Sequence, residues 1–188
     1  MSLFTRSFPK WLPIGVAVTL VIAISYIFVQ QSYRMGANDP QIMVAHDTAA
    51  ALGAGTPAEQ LVSSETVDPS KSLAPFVIVL DASGTVVSSS MRMDGATPLP
   101  PAGVLDTAKS SGENRVTWQP RADARIAAVV VAVKGGLGGY VIAGRSLQAV
   151  EARIDQLTQM AGLGLFGALV LTFAAVLLAD WMTERKTA

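Results

Sequence analysis

The chain has 188 residues, enough for one domain of ordinary size together with membrane segments. Its 51% hydrophobic content is high for a purely soluble protein, and with 14 basic against 14 acidic side chains there is no basic surplus to hold nucleic acid. Cysteine is absent, which excludes disulfide staples, a cysteine zinc site and a cysteine–histidine nucleophile.

Residues 1–10 form a short tail carrying Arg6 and Lys10 and no acid. Residues 11–33, WLPIGVAVTLVIAISYIFVQQSY, contain no charge and are long enough to cross the roughly 30 Å hydrocarbon core as a helix. A cleaved secretory signal is the competing reading. The apolar run exceeds a usual signal core and no small-residue cleavage site follows it before Arg34, so an uncleaved anchor is expected.

Residues 34–155 carry ten Lys or Arg and twelve Asp or Glu and read as a mildly acidic soluble domain. Asn38-Asp39-Pro40 breaks the chain, Asp39 can cap, and a helix from Pro40 stops at Gly53. Thr56 and Glu59 have capping-box spacing for a short helix through Leu61, and Asp68-Pro69-Ser70 reads as a turn. Ala74 to Leu80, the Asp81-Ala82-Ser83-Gly84 turn and Thr85 to Ser90 spell a β-hairpin. A loop from Met91 to Leu99 follows, then a helix opening at Pro101 and stopping near Gly112. Arg115 to Gln119, Ile126 to Val133 and Tyr140 to Ala143 give three more strands, the last two joined by the loop Gly135 to Gly139. Ser146 can cap a helix with Leu147, Val150, Ile154 and Leu157 on one stripe, and nothing breaks it before the second apolar run.

That run, residues 156–182, is apolar all round through Ala179 and ends at Trp181, with a tail at 183–188 bearing Arg185 and Lys186. Basic residues outside both spans put both tails in the cytoplasm under the positive-inside rule, and the middle domain on the far side. Gly164 and Ala168 have the spacing of a helix-packing face, for the first span or for a second copy.

Chemistry-bearing residues are sparse. His46 is the lone histidine, and Asp81 and Asp94 sit in turn signatures where backbone hydrogen bonding alone favours Asp. The glycines at 135–139 lack the Gly-Lys-Ser/Thr ending of a phosphate loop. No nucleophile, base and orienter set assembles, so neither an enzyme nor a resident cofactor or metal is expected.

The strand-turn-strand FVIVLDASGTVVSSS, the short helix, the three-strand meander and the return helix ending in AGRSL-x-x-VEARI resemble the extracytoplasmic PAS-like, or Cache, sensor domains. Those sit between two transmembrane helices in bacterial sensor kinases and chemoreceptors. The resemblance covers Asn38 to about Asp155. It implies an α+β fold, a PAS-like five-stranded antiparallel sheet with flanking helices, in a two-pass protein of the bacterial inner membrane with a periplasmic or extracellular domain. It also implies a small-molecule ligand against one sheet face under the Met91 to Leu99 loop. Ser90, Arg92, Arg115, Trp118, Arg125 and Tyr140 would serve that pocket, an arginine pairing with a carboxylate and the aromatics walling it. The plainer reading of the same residues is that Trp118 and Tyr140 fill the core and the arginines lie solvated on an outer face.

The family usually continues after its second span into HAMP, kinase or methyl-accepting modules, and none is expected here. A sensing module is therefore expected to signal through another membrane protein or a second copy of itself. The alternative is an accessory or assembly subunit that docks a membrane protein and takes no small ligand.

Overall fold

The computed structural model describes residues 3–36, 39–136 and 138–187. The break expected at Asn38, Leu137 of the glycine loop, and the side chains of Asp39 and Lys186 lie outside what is described. In chain order the elements are α1 (Leu3–Met35), α2 (Asp39–Gly53), α3 (Ala58–Leu61), β1 (Phe76–Leu80), β2 (Val86–Ser89), α4 (Ala102–Ser111), β3 (Glu113–Arg121), β4 (Ala124–Ala132), β5 (Tyr140–Ser146) and α5 (Gln148–Thr187). They divide into two compact units, residues 35–151 and the two terminal helical segments 1–34 and 152–188.

The first unit is the α+β fold expected, an antiparallel sheet in the order β2-β1-β5-β4-β3. The last strand fills the middle, pairing Ile142 with Ile78 of β1 and with Val130 of β4. Because side chains alternate along a strand, the register sorts the residues onto two faces. Phe76, Ile78, Leu80, Ile126, Ala128, Val130, Tyr140 and Ile142 share one face with Met91 and Met93 of the β2–α4 loop and Ala108 of α4. Val79, Val129, Val131, Val141 and Ala143 face the other way, under Ala45 and Ala49 of α2 and Ala58 of α3. With apolar side chains inward on both faces, β4 and β5 read as near-continuous hydrophobic runs.

Local chemistry sets the boundaries. Asp81 Oδ1 accepts from Ser83 N at 2.8 Å and from Thr85 N at 2.9 Å, and Gly84 supplies φ +84° for the hairpin turn. Gly112, at φ +85°, caps α4 by donating its N–H to the Ala108 carbonyl at 2.8 Å. The Thr56–Glu59 capping box does not form: α3 is preceded by Pro57, and no side chain caps it. Glycine at 55 (φ +94°) and the prolyl φ of Pro57 turn the chain there instead.

In the second unit, α1 and α5 are both long and apolar enough to cross a membrane. They are antiparallel, since early residues of α1 meet late residues of α5. Arg6 pairs with Glu184 at 3.0 Å and Lys10 with Asp180 at 2.6 Å. Trp11 Nε1 donates to Thr172 Oγ1 at 2.9 Å, and the hydroxyls of Tyr26 and Thr158 lie 2.8 Å apart. Phe173 receives Phe4 and Trp11 edge-on, each at 5.3 Å between ring centres. The start of α1 and the end of α5 therefore lie at the same end of the helix pair. Gly164 takes no part in this pairing: a β-carbon there would meet no atom within 4 Å. Ala168 accepts from Thr172 Oγ1 at 2.8 Å through its carbonyl, a bond within α5 itself.

Candidate functional site

The six residues singled out in the sequence fall on different faces. Trp118, opposite Ile126, and Tyr140 share the sheet face covered by the β2–α4 loop. Arg115 lies opposite Val129 in the register, so it projects on the α2 side, and Arg125 alternates with Ile126 to the same side. Both arginines are engaged locally, Arg115 Nε with Glu113 at 2.6 Å and Arg125 with Glu151 at 3.1 Å. Of the three arginines, Arg92 alone belongs to the covering loop, where its guanidinium reaches the Gly95 carbonyl at 3.5 Å. Ser90 is buried, and its hydroxyl accepts from Val77 N at 2.9 Å, fastening the end of β2 to β1.

The face carrying Trp118 is closely filled. Phe76, Ile78, Leu80, Met91, Ile126 and Ile142 are fully buried there. Within this apolar setting the indole Nε1 of Trp118 is buried with no protein hydrogen-bond partner. A buried indole N–H normally finds an acceptor, because leaving one unpaired costs about 1–3 kcal/mol. It is the one such side-chain atom among the described residues.

At the rim of that face, Arg121 at the end of β3 collects three segments. Its Nη1 donates to Asp94 of the covering loop at 2.6 Å, Nε and Nη2 grip the two carboxylate oxygens of Asp123, and Nη2 donates to Ser70 Oγ at 2.9 Å. The carboxylates, Asp123 first, raise the guanidinium further above its ordinary value, and Arg121 in return holds the Asp123 carboxyl below the usual range. Asp94 stands at a turn tip with φ +50°, a left-handed conformation that Asp tolerates. Nothing local in the sequence shows that Asp94 and Ser70 converge on Arg121.

Two clefts open on the α2 side of the sheet. One, of about 450 Å³, is lined mainly by apolar and glycine positions, among them Leu52, Pro57, Val79 and Val133, with Glu59 and Asp81 beside them. The other, of about 540 Å³, is more polar and holds His46, Ser111, Glu113 and Lys134. There His46 Nε2 and Glu113 Oε2 are 2.7 Å apart. The side chain of Arg115, and then that of His46, hold the Glu113 carboxyl below its ordinary value. Among the described residues no group of three His, Asp or Glu is placed to hold a metal ion.

No protein-family model and no curated protein matches the chain. Among solved structures it is similar to the ligand-binding domain of the amino acid chemoreceptor PctC of Pseudomonas aeruginosa PAO1, in complex with GABA, at 15% sequence identity and a TM-score of 0.44. The match covers 74% of this chain and 64% of that one, so the chain spans less than two thirds of the length of the structure it resembles.

Proposed function

We propose that residues 34–155 are a PAS-like, Cache-type sensing module on the extracytoplasmic side of a bacterial inner membrane, held there by spans at 11–33 and 156–182. It binds a small molecule and signals through a separate membrane protein or a second copy. The observation that carries this reading is the unpartnered Trp118 indole N–H, buried on the sheet face that the β2–α4 loop covers. A ligand with a hydrogen-bond acceptor on a compact apolar body satisfies it, with Tyr140 walling the site. Arg92, on the covering loop, supplies a cation for a carboxylate. Arg115 and Arg125 take no part, being on the opposite face. Because the face is filled when the loop is down, the ligand enters by displacing Met91 and Met93.

The orientation rests on Arg6, Lys10, Arg185 and Lys186 flanking the spans, together with the antiparallel pairing of α1 and α5. The test is a thermal-shift screen of the full chain in nanodiscs against carboxylates, amino acids, amines and nucleobases. A ligand at 100 times its Kd adds about 2.7 kcal/mol, several degrees in Tm. Trp118→Phe abolishes the shift if the site is the one proposed.

A second reading, a docking subunit without a small ligand, is favoured by the filled Trp118 face and by Met43 (67% exposed) and Val44 on the outer side of α2. It predicts a cooperative melt that no compound moves.

A further inference from the structure

The Arg121 cluster reaches beyond the covering loop. Ser70, which accepts from Arg121, is itself fixed by Asp68, whose Oδ1 takes the Ser70 N–H at 3.0 Å and its hydroxyl proton at 2.7 Å. The Ser70 carbonyl then accepts from Gln148 Nε2 at 3.1 Å, and the same amide reaches the Asp123 carbonyl at 3.3 Å. Gln148 is the first residue of α5, the helix that contains the second apolar run. A continuous polar chain thus runs Asp94, Arg121, then Ser70 and Asp123, then Gln148.

Its two ends matter for different reasons. Asp94 belongs to a tight turn in which the Met93 and Ala96 amides and carbonyls bond reciprocally at 2.8 and 3.0 Å, and Met93 and Met91 plug the core beneath. Displacing those methionines moves Asp94 with them. At the other end, α5 begins under three restraints, the Gln148 amide bonds, the Leu147 N–H donated to the Arg125 carbonyl at 2.8 Å, and the Arg125–Glu151 pair. An isolated exposed ion pair would transmit little. Here the bidentate grip on Asp123 fixes the guanidinium plane, so the Asp94 and Ser70 bonds are made or lost in a defined geometry.

We propose that Arg121 is a latch coupling the loop that closes the Trp118 face to the first turn of α5, so that lifting the loop releases the start of the membrane-directed helix. The latch deepens the sensing function and rests on it for its purpose, but its coupling is a property of the free protein.

Hydrogen–deuterium exchange on the full chain in nanodiscs tests it without a ligand. Asp94→Asn, a change at an exposed turn tip, raises exchange both at residues 93–97 and at the Leu147 and Glu151 amides. The rise at α5 is up to about fivefold, as expected for the loss of one largely exposed ion pair. In an Arg121→Gln background the same change adds nothing at α5, and Gln148→Ala raises exchange at 93–97 in return. Faster exchange confined to the loop, or an effect at α5 that persists without Arg121, overturns the latch. Failure of the ligand screen alone leaves this result untouched, and a ligand hit with uncoupled exchange rejects the latch while keeping the sensor.

Discussion

Phe76 and Gly144 face each other across the β1–β5 pair, and the phenyl ring fills the space that a side chain at 144 would need. A β-carbon there would lie 2.6 Å from Phe76 Cζ and 3.0 Å from Ala128 Cβ. The glycine is thus a packing requirement of the central strand, not a turn. Gly144→Ala is expected to cost about 1–3 kcal/mol, as overpacking of a dense core does. Gly103→Ala in α4, where an added β-carbon meets nothing within 4 Å, is expected to be neutral or to stabilise by up to about 1 kcal/mol. Thermal melts of the two variants side by side check the pair.

The Trp11–Thr172 hydrogen bond crosses between two apolar helices, where few other polar groups compete for it. Trp11→Phe keeps an aromatic ring against Phe173 and removes the donor together with part of the indole, so the hydrogen bond is isolated by the coupling with Thr172. The expected loss of helix-pair stability is about 0.6 kcal/mol and below about 2 kcal/mol, the range for interhelical hydrogen bonds in bilayers. A double-mutant cycle with Thr172→Val, read from unfolding in bicelles, measures it.

Acid is expected to destabilise the α+β unit through particular carboxylates. Ser70 holds the Asp68 carboxyl below its ordinary value, Ser83 and the Thr85 amide do the same for Asp81, and Arg115 and His46 for Glu113. A carboxyl depressed in the folded state contributes stability that is fully present above its unfolded value, about 4, and lost as pH falls through its lower folded value. Tm should therefore be flat from these groups above about pH 5 and fall below about pH 4. Asp81→Asn should lower Tm at pH 7 while making the fall below pH 4 shallower, which a pH series of melts reads directly.

What could be read from the sequence follows from what is local. The hairpin at Asp81 to Gly84, the Gly112 cap and the uninterrupted run from Gln148 onward were legible because turn chemistry, αL glycine and helical continuity act within a few residues. The capping box at Thr56 was misread because Pro57 follows it and takes the cap position itself. The site was legible only in part. Residue types named Trp118 and Tyr140, but whether Arg115 shares their face depends on register, and a shift of one residue exchanges the faces. Arg121, Asp94, Ser70 and Gln148 are far apart in the chain and carry no motif, so only the fold brings them together.

The proposed ligand seats against Trp118. The most direct measurement is an NMR titration of the full chain labelled with ¹⁵N at the tryptophan indoles, using a compound found by the thermal-shift screen. Trp118 is assigned by its Phe variant, and Trp11 and Trp181, both in the apolar helices, serve as internal controls. On binding, the Trp118 indole resonance alone is expected to move downfield and saturate as its N–H gains an acceptor. Saturable binding that leaves the Trp118 resonance in place would contradict this expectation.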